Sequence, residues 1–281
     1  MSINVVKHAS KRLTRKERSR RPATWGLVVA VSTLVGGAVG GAASGAAAAC
    51  VLAIAGAAAA LAVLLARDLG QIRTTVSEVA AVQAMEPFRD GEIYPLNPAT
   101  LCPENALTLC QEIIYRRPQR VLELGSGSST VLVSRCLQYL GAEGRTLVSL
   151  DHHEYWHKDT QNKIDRLGLG TIATVLHAPL VTQDGLPAPW YDLSVLPADA
   201  GPFDLILVDG PEGKGTARFG AFPQLRKYLA RDAVLLLDDG LRDGETEVVR
   251  LWQEIEPRLR VDFVPSVNGL WRVATEPQAS D

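Results

Sequence analysis

Residues 120–130, RVLELGSGSST, constrain the fold of this chain more than any other segment. A short apolar run with one acid, Glu123, breaks into a glycine- and serine-rich turn, and a helical run over residues 130–140 follows. Strand, glycine-rich turn and helix in this order form the ligand-binding corner of a doubly wound α/β sheet. Glycine lets the backbone approach a ligand closely, and small side chains leave room for it. We therefore expect a ligand site at this turn.

Neither of the common phosphate-binding patterns fits the turn. A dinucleotide-binding turn reads G-x-G-x-x-G, and here Thr130 holds the position of the third glycine. A P-loop requires a lysine, which this turn does not have. The next apolar run, residues 146–156, reaches Asp151, 24 residues after Gly127. A carboxylate there can accept hydrogen bonds from both hydroxyls of a ribose, although an aspartate at a strand end also serves as a turn residue or helix cap.

Two later apolar runs also end on acids. Residues 203–215, FDLILVDGPEGKG, lead to Asp209, and residues 233–240, AVLLLDDG, lead to Asp238 and Asp239. Near-continuous apolar runs are typical of parallel strands that are covered on both faces. Ligands in such sheets bind at the carboxyl ends of the strands, so we expect these acids to lie around one site.

The last part of the chain carries a hairpin signal. In residues 260–274, two β-type runs flank Asn268 and Gly269, a pair that favours a turn between antiparallel strands. This pattern predicts an antiparallel hairpin at the sheet edge, which is unusual in a dinucleotide-binding sheet. The predicted fold class is therefore α/β, with a doubly wound, mostly parallel sheet.

The motif E-x-G-x-G-x-S at residues 123–129 resembles motif I of the class I S-adenosylmethionine (SAM) methyltransferases. The segments VDGPEGKG, ARFGAFPQL and LLLDDGLRDGE resemble the bacterial small-molecule group related to catechol-type O-methyltransferases. The resemblance covers about residues 96–274 and implies a Rossmann-like, seven-stranded sheet with SAM as methyl donor. It implies these SAM-binding residues: Glu123, Gly125, Ser126, Gly127, Ser128, Ser129, Asp151, His152, His177 and Asp209.

Catechol-type enzymes hold Mg²⁺ with acids after the fourth and fifth strands, and Asp209, Asp238 and Asp239 match these places by order. Three carboxylates suit a hard cation. The match is incomplete, because Glu212 stands where those enzymes have a lysine and Asp239 replaces an asparagine. We take Asp209 and Asp239 as the catalytic candidates, with or without a metal.

Several polar and aromatic residues near these loops can each be interpreted in two ways. A histidine after the second strand is an alternative base or a surface residue, and His177 either approaches the adenine or is a plain loop residue. Trp190 and Tyr191 either line an acceptor pocket or anchor a proline-rich insertion. Arg218 and Arg242 either bind an anionic acceptor or pair with nearby acids. The alternative bases are His152, His153 and His157.

Residues 23–66 form an uncharged run of 44 residues, which is unlike a helix in a soluble core. As one helix the run would be about 66 Å long, twice the roughly 30 Å of a bilayer core. We therefore predict a transmembrane helical hairpin with spans at residues 24–42 and 46–66 and a glycine-rich turn between them. A cleaved signal peptide has a shorter apolar region, and a re-entrant hairpin stays open as an alternative.

Charge is distributed unevenly along the chain. Residues 1–22 hold eight basic residues and one acid, so they carry +7 and the remaining 259 residues carry −9. Basic flanks on both sides of the apolar run predict a multi-pass protein of the inner or plasma membrane, with both ends and the catalytic domain cytoplasmic. Residues 7–21 would then bind anionic lipid headgroups, and the acidic body argues against a nucleic-acid substrate.

Cysteine usage and the resemblance complete the functional prediction. Four cysteines without metal or disulfide spacing indicate a reduced compartment. The predicted function is a membrane-anchored O-methyltransferase for a small or lipid-linked acceptor. A SAM-binding degenerate domain that acts as a membrane scaffold, or an aminopropyltransferase, stays open. We therefore predict that the chain has five parts. They are a basic tail (1–22), the hairpin (23–66), an amphipathic helix and linker (67–90), the methyltransferase domain (91–275) and a disordered tail (276–281).

Overall fold

The computed structural model describes residues 46–95 and 100–275, and side chains from residue 54 onward. The chain divides into two units, and the division falls between Ser77 and Glu78. The basic tail, the first predicted span (residues 24–42) and the tail after residue 275 lie outside the described residues. Predictions about these segments stay predictions.

One long helix, α1 (Ala46–Ala84), covers the described part of the first unit. It continues through residues 66 and 67, where the predicted second span (46–66) meets the predicted amphipathic helix and linker (67–90). The helical parts of both predicted segments therefore lie on one continuous helix, because charged residues and a single Gly70 do not interrupt a run of good helix formers. Within the described residues, one helix is long and apolar enough to cross a membrane, over Ile54–Ala84 with mean hydropathy 1.3. The described residues therefore do not support a multi-pass arrangement.

The second unit is an α/β domain whose elements alternate along the chain. After the short α2 (Glu86–Arg89), the helices are α3 (Pro103–Arg116), α4 (Ser128–Tyr139), α5 (Glu154–Arg166), α6 (Ala221–Leu225) and α7 (Asp243–Ile255). The strands are β1 (Arg120–Leu124), β2 (Thr146–Asp151), β3 (Ala173–His177), β4 (Leu180–Val181), β5 (Trp190–Tyr191), β6 (Phe203–Val208), β7 (Leu229–Asp238), β8 (Arg260–Val264) and β9 (Leu270–Ala274).

Seven strands form one sheet in the order β3-β2-β1-β6-β7-β9-β8. The first five are parallel, and β9 runs antiparallel to both β7 and β8. The predicted edge hairpin is confirmed, and residues 265–269 form its loop because Val264 pairs with Leu270. The chain leaves β1 towards β2 and β3 on one side and returns to β6 on the other. The carboxyl end of β1 is therefore the switch point at which such sheets bind ligands.

Apolar residues cover both faces of the sheet. In β1, Val121 packs into the core on one face, while Leu122 and Leu124 pack into the core on the other. Helices α3, α4 and α5 contribute to the first core, and Phe222 and Trp252 contribute to the second. Because successive strand residues point to opposite faces, burial of both faces requires the continuous apolar runs seen in the sequence. Polar side chains are thus concentrated where the strands end.

Candidate active site

The glycine-rich turn after β1 is packed tightly on one side and open on the other. Gly125 has a φ of +96°, which residues with a side chain rarely adopt. A Cβ there would lie 3.3 Å from the backbone carbon and oxygen of Asp209. A Cβ on Gly127 would instead meet no described atom within 4 Å. The two glycines therefore differ in role, because Gly125 permits packing against the end of β6 and Gly127 borders open space.

Glu123 holds the turn from inside the domain. Its side chain is fully buried, and its Oε2 accepts hydrogen bonds from the hydroxyls of Thr130 at 2.5 Å and Ser149 at 2.7 Å. The Thr130 hydroxyl also accepts the N–H of Gly127 at 2.9 Å. Burial raises the pKa of Glu123 to about 7, while hydrogen bonds from Ser129, Thr130 and Ser149 oppose this rise. Its Oε1 has no hydrogen-bond partner among the described residues.

Thr130 and Ser149 are site residues that we did not predict. Thr130 had a recognisable signal, since it stands three residues after Gly127 at the start of α4, where a hydroxyl can bond back to the turn. Ser149 had no local signal, because only the pairing of β1 with β2 places it opposite Glu123. Ser128, half-buried, begins α4, and the buried Ser129 follows it towards Glu123.

Asp151, at the end of β2, lies beside the turn as predicted. Its Oδ2 accepts both the N–H of Ser126 at 2.9 Å and the Ser126 hydroxyl at 2.7 Å. Its Oδ1 accepts the N–H of His153 at 2.8 Å. The ribose prediction and the turn-residue alternative are therefore compatible, because a ribose hydroxyl can take the place of the Ser126 hydroxyl while the backbone bonds stay.

Histidines surround the end of β2. His177 pairs in register with Asp151, and its Nε2 lies 3.3 Å from the backbone oxygen of His152. The His177 ring stacks on His157 with 5.7 Å between ring centroids. Burial lowers the pKa of the half-buried His152 below its ordinary value, so this imidazole is held neutral near pH 7. His152 and His177 thus flank Asp151, and the role predicted for each stays a prediction.

Three acids meet at the ends of β6 and β7, as the sequence led us to expect. Carboxylate oxygens of Asp209, Asp238 and Asp239, here called the acidic cluster, lie within 4.8 Å of one another. Burial raises the pKa of Asp209 well above its ordinary value and that of Asp238 to about 6. The side chain of Asp209 is 23% exposed, compared with 13% for Asp239, so Asp209 is the more accessible of these two.

Arg218 is buried within the acidic cluster. Its side chain is 5% exposed, and Nη2 lies 3.4 Å from Asp209 Oδ1 and 3.2 Å from Asp239 Oδ2. Nη2 and Nη1 also donate to the backbone oxygens of Asp209, at 2.9 Å, and Asp238, at 3.0 Å. Of the two readings given to Arg218, pairing with nearby acids is thus the one observed.

Two further contacts complete the cluster. Arg242 Nη2 lies 2.7 Å from Asp239 Oδ2, so this arginine also pairs with an acid. The amide of Asn105, on α3, donates to Asp238 Oδ1 at 2.6 Å and to the Gly269 oxygen at 3.0 Å. Sequence reasoning did not identify Asn105, because α3 is 133 residues away from Asp238 along the chain.

Trp190 and Tyr191 anchor the insertion between β4 and β6. Both side chains are fully buried in the second core. A Cβ on Gly210 would lie 2.2 Å from the Tyr191 hydroxyl, so glycine is required directly after Asp209. That hydroxyl has no hydrogen-bond partner among the described residues. The Tyr191 side chain therefore packs against Gly210, next to the glycine-rich turn.

The turn is chemically suited to SAM. Open space borders Gly127, Glu123 Oε1 is buried without a partner, and Asp151 has one hydrogen bond that a ligand hydroxyl can replace. The acidic cluster is spaced for a divalent cation, but each carboxylate already has a neighbouring donor or cation: Arg218 at Asp209 and Asp239, and Asn105 at Asp238. As it stands, the acidic cluster does not fit a divalent metal.

Residues 122–240 match a family model described as a methyltransferase domain. The O-methyltransferase from Bacillus cereus in complex with S-adenosylhomocysteine (SAH) is 18% identical, and the match covers 72% of this chain and 91% of that chain with a TM-score of 0.51. The SAH-bound methyltransferase PaMTH1 of Podospora anserina is 15% identical, with 74% and 96% covered and a TM-score of 0.53. No curated protein matches the chain.

The strand order and the antiparallel edge hairpin agree with these likenesses. The glycine-rich turn, Asp151 and the acidic cluster all fall within residues 122–240, the part that the family model matches. The second unit of this chain therefore has the Rossmann-like fold of methyltransferases, and residues 122–240 are similar to a methyltransferase domain.

Proposed function

We propose that this protein is a SAM-dependent methyltransferase that transfers a methyl group to an oxygen of a small or lipid-linked acceptor. One observation carries the proposal: the turn at the switch point of the sheet has open space at Gly127 and a carboxylate, Asp151, held beside it. The match of residues 122–240 to a methyltransferase domain supports it. The Bacillus cereus structure, which is named an O-methyltransferase, supports oxygen as the acceptor atom.

Each part of the site has a role in this reaction. SAM supplies a methyl group on a sulfonium, which is transferred by an in-line displacement. Asp151 accepts hydrogen bonds from the ribose, and the backbone at residues 125–127 lets the methionine portion approach. Because the carbon is already activated, the protein contributes mainly by holding donor and acceptor in line.

An oxygen acceptor also has to lose its proton. Asp209 is the candidate base, because it lies at the end of β6 directly against the glycine-rich turn and is the more exposed of Asp209 and Asp239. Its carboxylate accepts the acceptor proton as the carbon–oxygen bond forms. Asp239, with Arg218 and Arg242 on one carboxylate oxygen, orients these side chains.

Titration of SAM into the full chain in detergent, followed by calorimetry, tests the proposal. We expect binding in the micromolar range that Asp151→Ala abolishes. Formation of SAH that depends on an added acceptor then separates an enzyme from a scaffold that only binds SAM. A folded protein that does not bind SAM would overturn the proposal and remove the scaffold alternative with it.

We further propose that the apolar segment anchors the protein in a membrane with the catalytic domain in the cytoplasm. Large apolar side chains of α1 are exposed, among them Ile54, Leu61 and Leu65. A charge at the centre of a membrane-spanning helix costs about 3 kcal/mol, so Ile54→Arg together with Ala58→Arg, near the centre of residues 46–66, should release the chain during carbonate extraction. Tyr115→Arg, at an exposed position of α3, is the control. Retention of the double variant would contradict anchoring by α1.

A further inference from the structure

We propose that the guanidinium of Arg218 is the resident cation of the acidic cluster, so that methyl transfer by this protein proceeds without a divalent metal. The statement about methyl transfer rests on the proposed function. The statement about the cation does not, because metal binding is measured without SAM or an acceptor.

The position of the guanidinium is the first argument. Its Nη2 bridges the carboxylates of Asp209 and Asp239, at 3.4 and 3.2 Å, and also donates to the Asp209 backbone oxygen at 2.9 Å. Its Nη1 donates to the Asp238 backbone oxygen at 3.0 Å. One group thus connects the ends of β6 and β7, which is where a metal ligated by these acids would have to lie.

The remaining ligand atoms are the second argument. A hard cation needs several oxygens directed at it within about 2.0–2.6 Å. In this cluster, Asp238 Oδ1 is taken by the Asn105 amide at 2.6 Å, and Asp239 Oδ2 by Arg242 at 2.7 Å as well as by Arg218. A metal would have to displace a charged side chain that is 5% exposed and that donates to the backbone oxygens of Asp209 and Asp238.

The chemistry of arginine is the third argument. A guanidinium keeps its charge at any pH that the protein tolerates, so it balances the acids permanently. It has no open coordination position, and its Nη atoms already point at protein oxygens. Arg218 therefore acts as a positioning residue that fixes the Asp209 carboxylate, and a protein side chain has to remove the proton of the acceptor.

Titration of Mn²⁺ into the full chain in detergent, with free Mn²⁺ read by electron paramagnetic resonance, tests the proposal. We expect no Mn²⁺ site in the unchanged protein and one new site in Arg218→Ala, with a Kd on the order of 10⁻⁴ M as in weak oxygen sites. The new site should disappear in the double variant Arg218→Ala, Asp209→Asn. Arg250→Ala is the matched control, because Arg250 pairs with Glu247 and Glu254 on α7 and its loss should create no site.

Two results would overturn the proposal. One is Mn²⁺ binding by the unchanged protein that Asp209→Asn removes, and this measurement decides even where Arg218→Ala does not fold. The other is a folded Arg218→Ala protein that binds no Mn²⁺. In an assay of acceptor-dependent SAH formation, EDTA should leave the rate unchanged. A protein that fails to bind SAM refutes the proposed function, whereas the Mn²⁺ titrations still test the place of Arg218.

Discussion

Ser126 donates its backbone N–H, at 2.9 Å, and its hydroxyl, at 2.7 Å, to the same oxygen of Asp151. The backbone bond does not depend on the side chain at position 126, and it fixes the turn next to the carboxylate. The hydroxyl bond can be exchanged for a bond from a ligand. Asp151 is therefore held in place before a ligand binds. Its Oδ2 can then accept a hydrogen bond from a ligand hydroxyl in place of the Ser126 hydroxyl.

This pair predicts different effects for two conservative substitutions. Asp151→Asn replaces a carboxylate that accepts at both oxygens with an amide that donates at one end, so SAM affinity should fall by about tenfold or more, about 1.4 kcal/mol. Ser126→Ala keeps the backbone bond and should change SAM affinity by less than about threefold. Calorimetric titration of both variants measures the difference. Equal losses in the two variants would contradict a direct role for Asp151.

The two glycines of the turn should respond differently to alanine. Gly125→Ala places a side chain at φ +96° and 3.3 Å from the Asp209 backbone, which should destabilise the domain by about 1–3 kcal/mol. Gly127→Ala adds a methyl group in open space, so the melting temperature should hardly change while SAM affinity falls. Thermal unfolding and SAM titration of both variants separate the effects. A stable Gly125→Ala protein would show that the tight approach to Asp209 is not needed.

Burial of Glu123 predicts a pH dependence of stability. Its pKa of about 7 lies above its ordinary value of 4.5, so the folded state holds this proton more strongly than the unfolded state. The contribution of Glu123 to stability is full below pH 4.5, is lost as the pH rises towards 7, and amounts to about 3 kcal/mol. Urea unfolding of the ligand-free protein between pH 4.5 and 7.5 measures the loss. Glu123→Gln should make the curve less steep, while Asp209 and Asp238, whose pKa values burial also raises, keep their part of the slope. Parallel curves for the two proteins would refute the prediction.

The contact between Asn105 and Asp238 predicts that α3 contributes to the acidic cluster. Asn105→Ala removes the buried donor of Asp238 Oδ1 and should lower the free energy of unfolding by about 1–3 kcal/mol. Gln111→Ala, at an exposed position of the same helix, should change it by less than about 0.5 kcal/mol. Chemical denaturation of both variants provides the comparison. Equal effects would mean that the amide does not hold Asp238.

Much of the second unit could be predicted because its signals are local. Burial of both sheet faces requires continuous apolar runs in the strands, so β1, β6 and β7 were recognisable, and each has an acid at or near its end. The hairpin of β8 and β9 was recognisable from its turn residues. The division of the chain at residues 66 and 67 stays a prediction, and α1 is continuous across it to Ala84.

Partners that lie far apart in the chain could not be predicted. Ser149 faces Glu123 only through strand pairing, and Asn105 reaches Asp238 across 133 residues. Arg218 had two readings, an acceptor ligand or a partner of acids. Its burial between the ends of β6 and β7 decided for the second reading.

The sequence by itself determined the strand-turn-helix corner, the acids at the strand ends and the α/β class, because backbone geometry and burial act on neighbouring residues. Only the tertiary structure decided which donors each carboxylate receives. Three acids at these strand ends are also a pattern that can hold a metal. In the structure, the buried guanidinium of Arg218, from the loop after β6, lies among the three acids instead. Charge balance in a buried site depends on contacts between distant segments, which no local pattern encodes.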